Sequence, residues 1–155
     1  MATAAVERFT QAAAAHGLAP EIREFPQGTR TAADAAAAIG CDVAQIVKSL
    51  VFVADDEPVL ILTSGANRVD EHQVCAALGV ATLRKANADE VRSATGYAIG
   101  GTPPFGHPAP LRVVCDRDLT TYDEVWAAAG TPSTVFPLTP GTLLEITKAE
   151  VVDVS

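Results

Sequence analysis

The chain has 155 residues, with 19 acidic and 11 basic side chains and a formal net charge of −8. Apolar types make up 48% and charged types 19%, which supports one buried core over residues 1–155 and excludes an acidic disordered tail. No apolar run approaches the roughly 20 residues of a membrane span, the start Met1-Ala2-Thr3-Ala4-Ala5 lacks a signal-peptide pattern, and the acid excess argues against strong nonspecific nucleic-acid binding; a cytoplasmic protein is expected.

The spacing of Val6, Phe9 and Ala13 predicts a helix over Ala4–Ala15, stopped by Gly17. Glu21–Phe25 alternates and predicts a short strand. Thr31 is expected to cap a helix over Ala32–Ile39 that Gly40 ends. Gln45–Val53 is β-branched and predicts a central strand, with Asp55-Asp56-Glu57-Pro58 as the hairpin turn and Val59–Thr63 as its partner. Asp70 opens a helix ending at Leu78-Gly79, and Asn87 caps another through Arg92. Gly96–Pro108 is too rich in glycine and proline for either regular element throughout. Strands are predicted at Leu111–Cys115 and near Thr134–Leu138. Thr139 or Thr142 starts a last helix, and Val151–Val154 forms a closing strand. Without strict βαβ alternation, the reading is α+β with a mixed, mostly antiparallel sheet.

Cys41, Cys75 and Cys115 are widely spaced, with no CxxC pair, and His16, His72 and His107 form no HExxH or HxH pattern. Neither a disulfide framework nor a metal site is expected. Dinucleotide and nucleotide-triphosphate loops are also missing, so no cofactor is expected.

Two features could carry chemistry. Lys48 lies mid-strand, sharing a face with Ile46, Leu50 and Phe52, where an unpaired buried ammonium would be costly. It either holds a phosphate or oxyanion, or snorkels to solvent at the strand end. The Gly100-Gly101-Thr102-Pro103-Pro104-Phe105-Gly106 loop is either an anion-binding nest or a stiff connector. His107 follows it and is the one histidine near either feature. A small-ester hydrolase using His107 as general base is therefore a further reading.

Ile46-Val47-Lys48-Ser49-Leu50-Val51-Phe52 is similar to the pattern I-x-K-[ST]-L-[VL]-F. Thr95-Gly96-Tyr97-Ala98-Ile99-Gly100-Gly101-Thr102-Pro103-Pro104-Phe105-Gly106 is similar to T-G-[YF]-x-x-G-G-x-x-P-[FI]-G. With Val59–Leu62, Gly65, Val69-Asp70 and Val135–Pro140 in the same order, nearly the whole chain resembles the YbaK / prolyl-tRNA-synthetase-associated editing domain family of freestanding aminoacyl-tRNA deacylases.

The resemblance implies a partly barrel-like sheet with surrounding helices. It implies hydrolysis of the ester joining a wrong, small amino acid to a prolyl or related tRNA, without a protein nucleophile. The functional lysine falls on Lys48, and the loop holding the substrate carbonyl and terminal ribose falls on Gly100, Gly101 and Pro104. Ile46, Leu50, Thr102, Pro103 and Phe136 are expected beside the substrate. The implied partners are the aminoacyl-tRNA 3′ end and a synthetase, with no DNA and no membrane. Phe136 stands where some alanine-specific relatives have histidine, and Gly141-Thr142 where several deacylases have a polar or acidic residue. A noncatalytic module that binds aminoacyl-tRNA or a synthetase is the alternative.

Overall fold

A computed structural model describes residues 3–26 and 31–155. Helices α1 (Ala4–Ala15), α2 (Ala32–Ile39), α3 (Glu71–Leu78), α4 (Ala88–Thr95) and α5 (Pro140–Thr147) each begin at a side chain that satisfies an orphan amide. Thr3, Thr31, Asp70, Asn87 and Thr139 accept from the backbone N–H three residues on, at 2.8–3.2 Å. Each such cap is worth about 1 kcal/mol. Helix α4 runs one turn beyond the expected Arg92, because no breaker precedes Gly96, which ends it with φ 80°.

The strands are β1 (Arg23–Glu24), β2 (Ile46–Ala54), β3 (Glu57–Ser64), β4 (Leu83–Lys85), β5 (Arg112–Asp116), β6 (Val125–Ala128), β7 (Thr134–Leu138) and β8 (Glu150–Val152). They form one sheet in the order β1-β7-β6-β2-β3-β5-β8, with β4 also paired to β2. Four of its seven pairings are antiparallel and three are parallel. The architecture is the expected α+β one. Strands β1 and β8 stand at opposite ends of the sheet path, so the sheet is open.

Three strand boundaries differ from expectation for local reasons. The β2–β3 turn contains only Asp55 and Asp56, both left-handed at φ 47° and 68°, while Glu57 and Pro58 already belong to β3. Two consecutive positive-φ residues make the tight turn whose twist suits a hairpin. Pro58 is tolerated because pairing with β5 begins one residue later, at Val59. At the sheet edge, β1 shrinks to the two residues that reach Val135 and Thr134. At the other end β8 stops at Val152, and Val154 turns inward to be fully buried.

Period-two alternation in β2 and β3 divides the core. Val47, Val51, Leu60 and Leu62 face α1, α4, α5 and the Gly96–Pro108 loop, around Phe9, Phe105 and Phe136. Phe52, Val59 and Ile61 face α3 through Val74 and Leu78. Ile46, Trp126 and Val135 pack on Ala35 and Ala36 of α2. Phe9 is fully buried, with ring centroids 4.8 Å from Phe136 and 5.2 Å from Phe105. Emptying such a site costs about 3–5 kcal/mol.

A cleft where the central strand loses its partner

The site arises from an interruption in the sheet. On one edge β2 pairs continuously with β3, but its other edge is shared. Strand β6 takes Ile46 and Val47, and β4 takes Phe52–Ala54. Between them, residues 48–50 have no strand on that edge. The Ile46 carbonyl accepts from Gly65 N–H on the β3 side, and the Val51 carbonyl accepts from Ala86 N–H on the β4 side. Backbone polar groups alternate direction along a strand, so the N–H and C=O of Ser49 point into the gap.

A cleft of about 510 Å³ opens there. Ile46, Lys48, Ser49, Leu50, Gly100 and Thr102 line it, with Lys85 from β4 and an apolar wall from Ala32, Ala35, Trp126 and Val135. The structure therefore brings together five expected residues: Ile46, Lys48, Leu50, Gly100 and Thr102. Ser49 was not singled out by the sequence, although it follows the lysine in the motif. Its hydroxyl is buried and has no hydrogen-bond partner among the described residues.

Lys48 is half-buried, and its Nζ donates to the Asn67 carbonyl at 2.6 Å. Asn67 is itself held from below. Its Nδ2 donates to Asp116 Oδ2 at 2.9 Å and to Asp118 Oδ2 at 2.8 Å. Asp116 is 2% exposed and also accepts from Ser64 N–H at 3.0 Å and Asp118 N–H at 3.0 Å. A buried carboxylate thus fixes the carbonyl that aims the ammonium. Burial pushes the Lys48 pKa down, Arg68 and Lys85 push it further down, and Asp116 opposes them. One Nζ proton is committed to Asn67, so an ammonium retains two donors for a ligand.

The Gly96–Pro108 loop forms the facing wall. Gly101 is buried against the 130–131 turn, where an added Cβ would lie 2.8 Å from Thr131 Cα and 2.9 Å from Gly130 oxygen. Its N–H donates to Ala98 oxygen at 3.0 Å, as does Thr102 Oγ1 at 3.1 Å. Gly100 takes the left-handed φ of 86° and faces the cleft. Pro103 and Pro104 are buried behind the loop and outside the cleft lining. Phe136 is fully exposed to neither solvent nor cleft: it has 0% exposure, and the adjoining Val135 takes the cleft face instead. One residue along a strand reverses the face.

His107 lies apart from the cleft lining, its Nε2 2.9 Å from the Pro103 carbonyl. A carbonyl only accepts, so Nε2 carries the proton, and burial lowers the imidazole pKa. Burial also pushes the Cys115 thiol up to about 12. No group of three or more His, Cys, Asp or Glu side chains arranged for a metal occurs among the described residues. Nor is any described helix long and apolar enough to cross a membrane.

Residues 26–146 match the model of the aminoacyl-tRNA editing domain, and the chain belongs to that family. It is 32% identical over 132 residues to the uncharacterized protein YwhH of Bacillus subtilis (strain 168), covering 84% of this chain and 83% of that protein. It is 32% identical over 127 residues to proline–tRNA ligase of Streptococcus thermophilus (strain CNRZ 1066), covering 82% of this chain but 20% of the ligase. A solved structure described as a candidate trans-editing enzyme for prolyl tRNA synthetase superposes with a TM-score of 0.94 at 45% identity, covering 100% of this chain and 99% of the other.

Proposed function

We propose that this chain is a trans-editing deacylase that hydrolyses the ester of a small, mischarged amino acid on a prolyl or related tRNA. The observation that carries the reading is the stretch of β2 left unpaired along one edge. It presents Lys48 and Ser49 on one side of a cleft whose other side is the Gly100–Thr102 backbone. An aminoacyl ester is already activated, so orientation and stabilisation of the developing oxyanion are the main tasks left to the protein. Water adds to the ester carbonyl, and collapse of the tetrahedral intermediate releases the amino acid and returns a proton to the ribose oxygen. The vicinal ribose hydroxyl assists the attacking water, in keeping with the family resemblance.

Lys48 secures the terminal phosphate or ester oxygen, while Gly100 and Thr102 border the carbonyl. The Gly101 N–H is already bonded to Ala98, which gives Gly101 the task of seating the loop. Pro103, Pro104 and Phe136 support the wall from behind. Ser49 meets the substrate through its free hydroxyl and its backbone. The apolar wall of Ala32, Ala35, Ile46, Trp126 and Val135 suits a small apolar side chain. His107, tied to Pro103, leaves the general-base reading without a base in the cleft.

Hydrolysis of alanyl-, cysteinyl-, seryl-, threonyl- and 2-aminobutyryl-tRNA, with wild type and Lys48→Ala side by side at low salt, tests this. Lysine-dependent cleavage of one or two members is expected. Loss of one oxyanion-type donor lowers the rate by about 10²–10³. No cleavage of any member, even with prolyl-tRNA synthetase added, would leave a noncatalytic module that binds aminoacyl-tRNA or a synthetase.

A further inference from the structure

Among the described cations, Arg84, Arg112 and Arg117 are in ion pairs with Glu90, Glu150 and Asp153. Arg8 and Arg23 lie over the rings of Tyr97 and Trp126. Arg68, Lys85, Arg92 and Lys148 are exposed and have no such partner, and of these Arg68 and Lys85 are the two whose charge acts on Lys48. Their placement follows from the fold. Lys85 is the cross-strand partner of Phe52, which puts it on the same sheet face as Leu50 and Lys48, and it lines the cleft. Arg68 directly follows Asn67, whose carbonyl holds the Lys48 ammonium. The carboxylate that opposes this crowding at Lys48 is Asp116, buried and engaged by Ser64, Asn67 and Asp118. A chain of net charge −8 therefore puts Lys48 and Lys85 in one cleft and Arg68 next in sequence to the residue that holds Lys48, with no ion pair to Lys85 or Arg68 among the described residues.

Like charges placed together repel unless an anion joins them. At the mouth of the same cleft Ile99 is the large apolar side chain left exposed, at 58%. Cations beside an exposed apolar side chain fit a nucleotide chain, with its anionic backbone and apolar base faces, better than a small inorganic anion. We infer that Arg68 and Lys85 bind backbone phosphates of the single-stranded RNA upstream of the nucleotide seated in the cleft. This inference rests on the editing reading for the identity of the RNA, but not on catalysis. It also supplies the local attraction that the acidic chain needs to hold a polyanion.

Fluorescence anisotropy with a 5′-labelled ACCA ribonucleotide, titrated between about 50 and 200 mM salt, tests it without any hydrolysis. Lys85→Met and Arg68→Met should each weaken binding and flatten the slope of log K against log salt by about 0.7, the value for one phosphate contact on a single strand. Charge reversal at Arg68→Glu should weaken it further. Unlabelled adenosine, which has no phosphate, should compete equally with probe-bound wild type and variants after correction for probe affinity. Unchanged slopes in both methionine variants would overturn the inference. So would displacement of the probe by inorganic phosphate as effectively as by unlabelled ACCA, since the rim would then be a free-anion site. A variant-sensitive slope in a protein that cleaves no mischarged tRNA would keep the phosphate track and reject the deacylase.

Discussion

Ser49→Ala should make the free protein more stable and the enzyme worse. The wild-type hydroxyl is buried beside Val47 and Val51 in the sheet and has no partner among the described residues. Leaving such a group unpaired costs about 1–3 kcal/mol, so deleting it should recover about 1 kcal/mol after the small loss of packing. For a chain of this size, that raises the melting temperature by about 2–4 °C. A neutral hydrogen bond to substrate contributes about 0.5–1.5 kcal/mol, so kcat/KM for the preferred mischarged tRNA should fall by about 2–10-fold. Thermal denaturation and single-turnover deacylation on the same preparations read both signs. A lower melting temperature with an unchanged rate would refute the reasoning, because the hydroxyl would then serve the fold and not the ligand.

Two further outcomes follow from the opposite wall. Gly101→Ala should destabilise by about 1–3 kcal/mol, because its Cβ meets backbone at 2.8–2.9 Å and either the loop or the 130–131 turn must move. Urea denaturation measures that loss, and deacylation should fall with it, since Gly100 and Thr102 move with Gly101; a wild-type midpoint would show that the loop is not seated there. His107 gives a pH dependence. Its folded pKa lies below 6.5, so the unfolded chain takes up the proton first as pH falls. The His107 contribution is complete above about pH 6.5 and declines below it, by at most about 1.4 kcal/mol per pH unit. Urea midpoints at several values across that window should lose this slope in His107→Gln; an equal slope in the variant would exclude the imidazole.

What the sequence made legible was local. Thr31, Asp70 and Asn87 announce helices because a cap is decided by one side chain and an amide three residues away, and of the two candidates Thr139 and Thr142 the first is the cap. The β2–β3 hairpin is likewise written into one β-branched run, an acidic turn and a second run. Strands β4 and β6 were missed. Leu83–Lys85 has only three residues between two helices, and Val125-Trp126-Ala127-Ala128 carries no alternation. Each is a strand because β2 is there to pair with it, and pairing is a tertiary fact.

Those two strands are also what define the site. Lys48 could be picked out as a cation in an apolar run, but the sequence left open whether it faced a ligand or snorkelled to water. The answer depends on where β6 stops, at Val47, and where β4 starts, at Phe52. Had either strand continued across the gap, the Ser49 backbone would be paired and the cleft closed. The same dependence explains why the glycine loop divided as it did. Gly100 and Thr102 reach the cleft because Gly101 is driven against Thr131, on a turn that leads from β6 into β7. Phe136 reads as a pocket residue by position in the motif, yet the pleat gives the pocket to Val135 and gives Phe136 to Phe9 and Phe105. The motif therefore marks the segments that meet at the site, while the interrupted pairing of β2 decides which side chains face it.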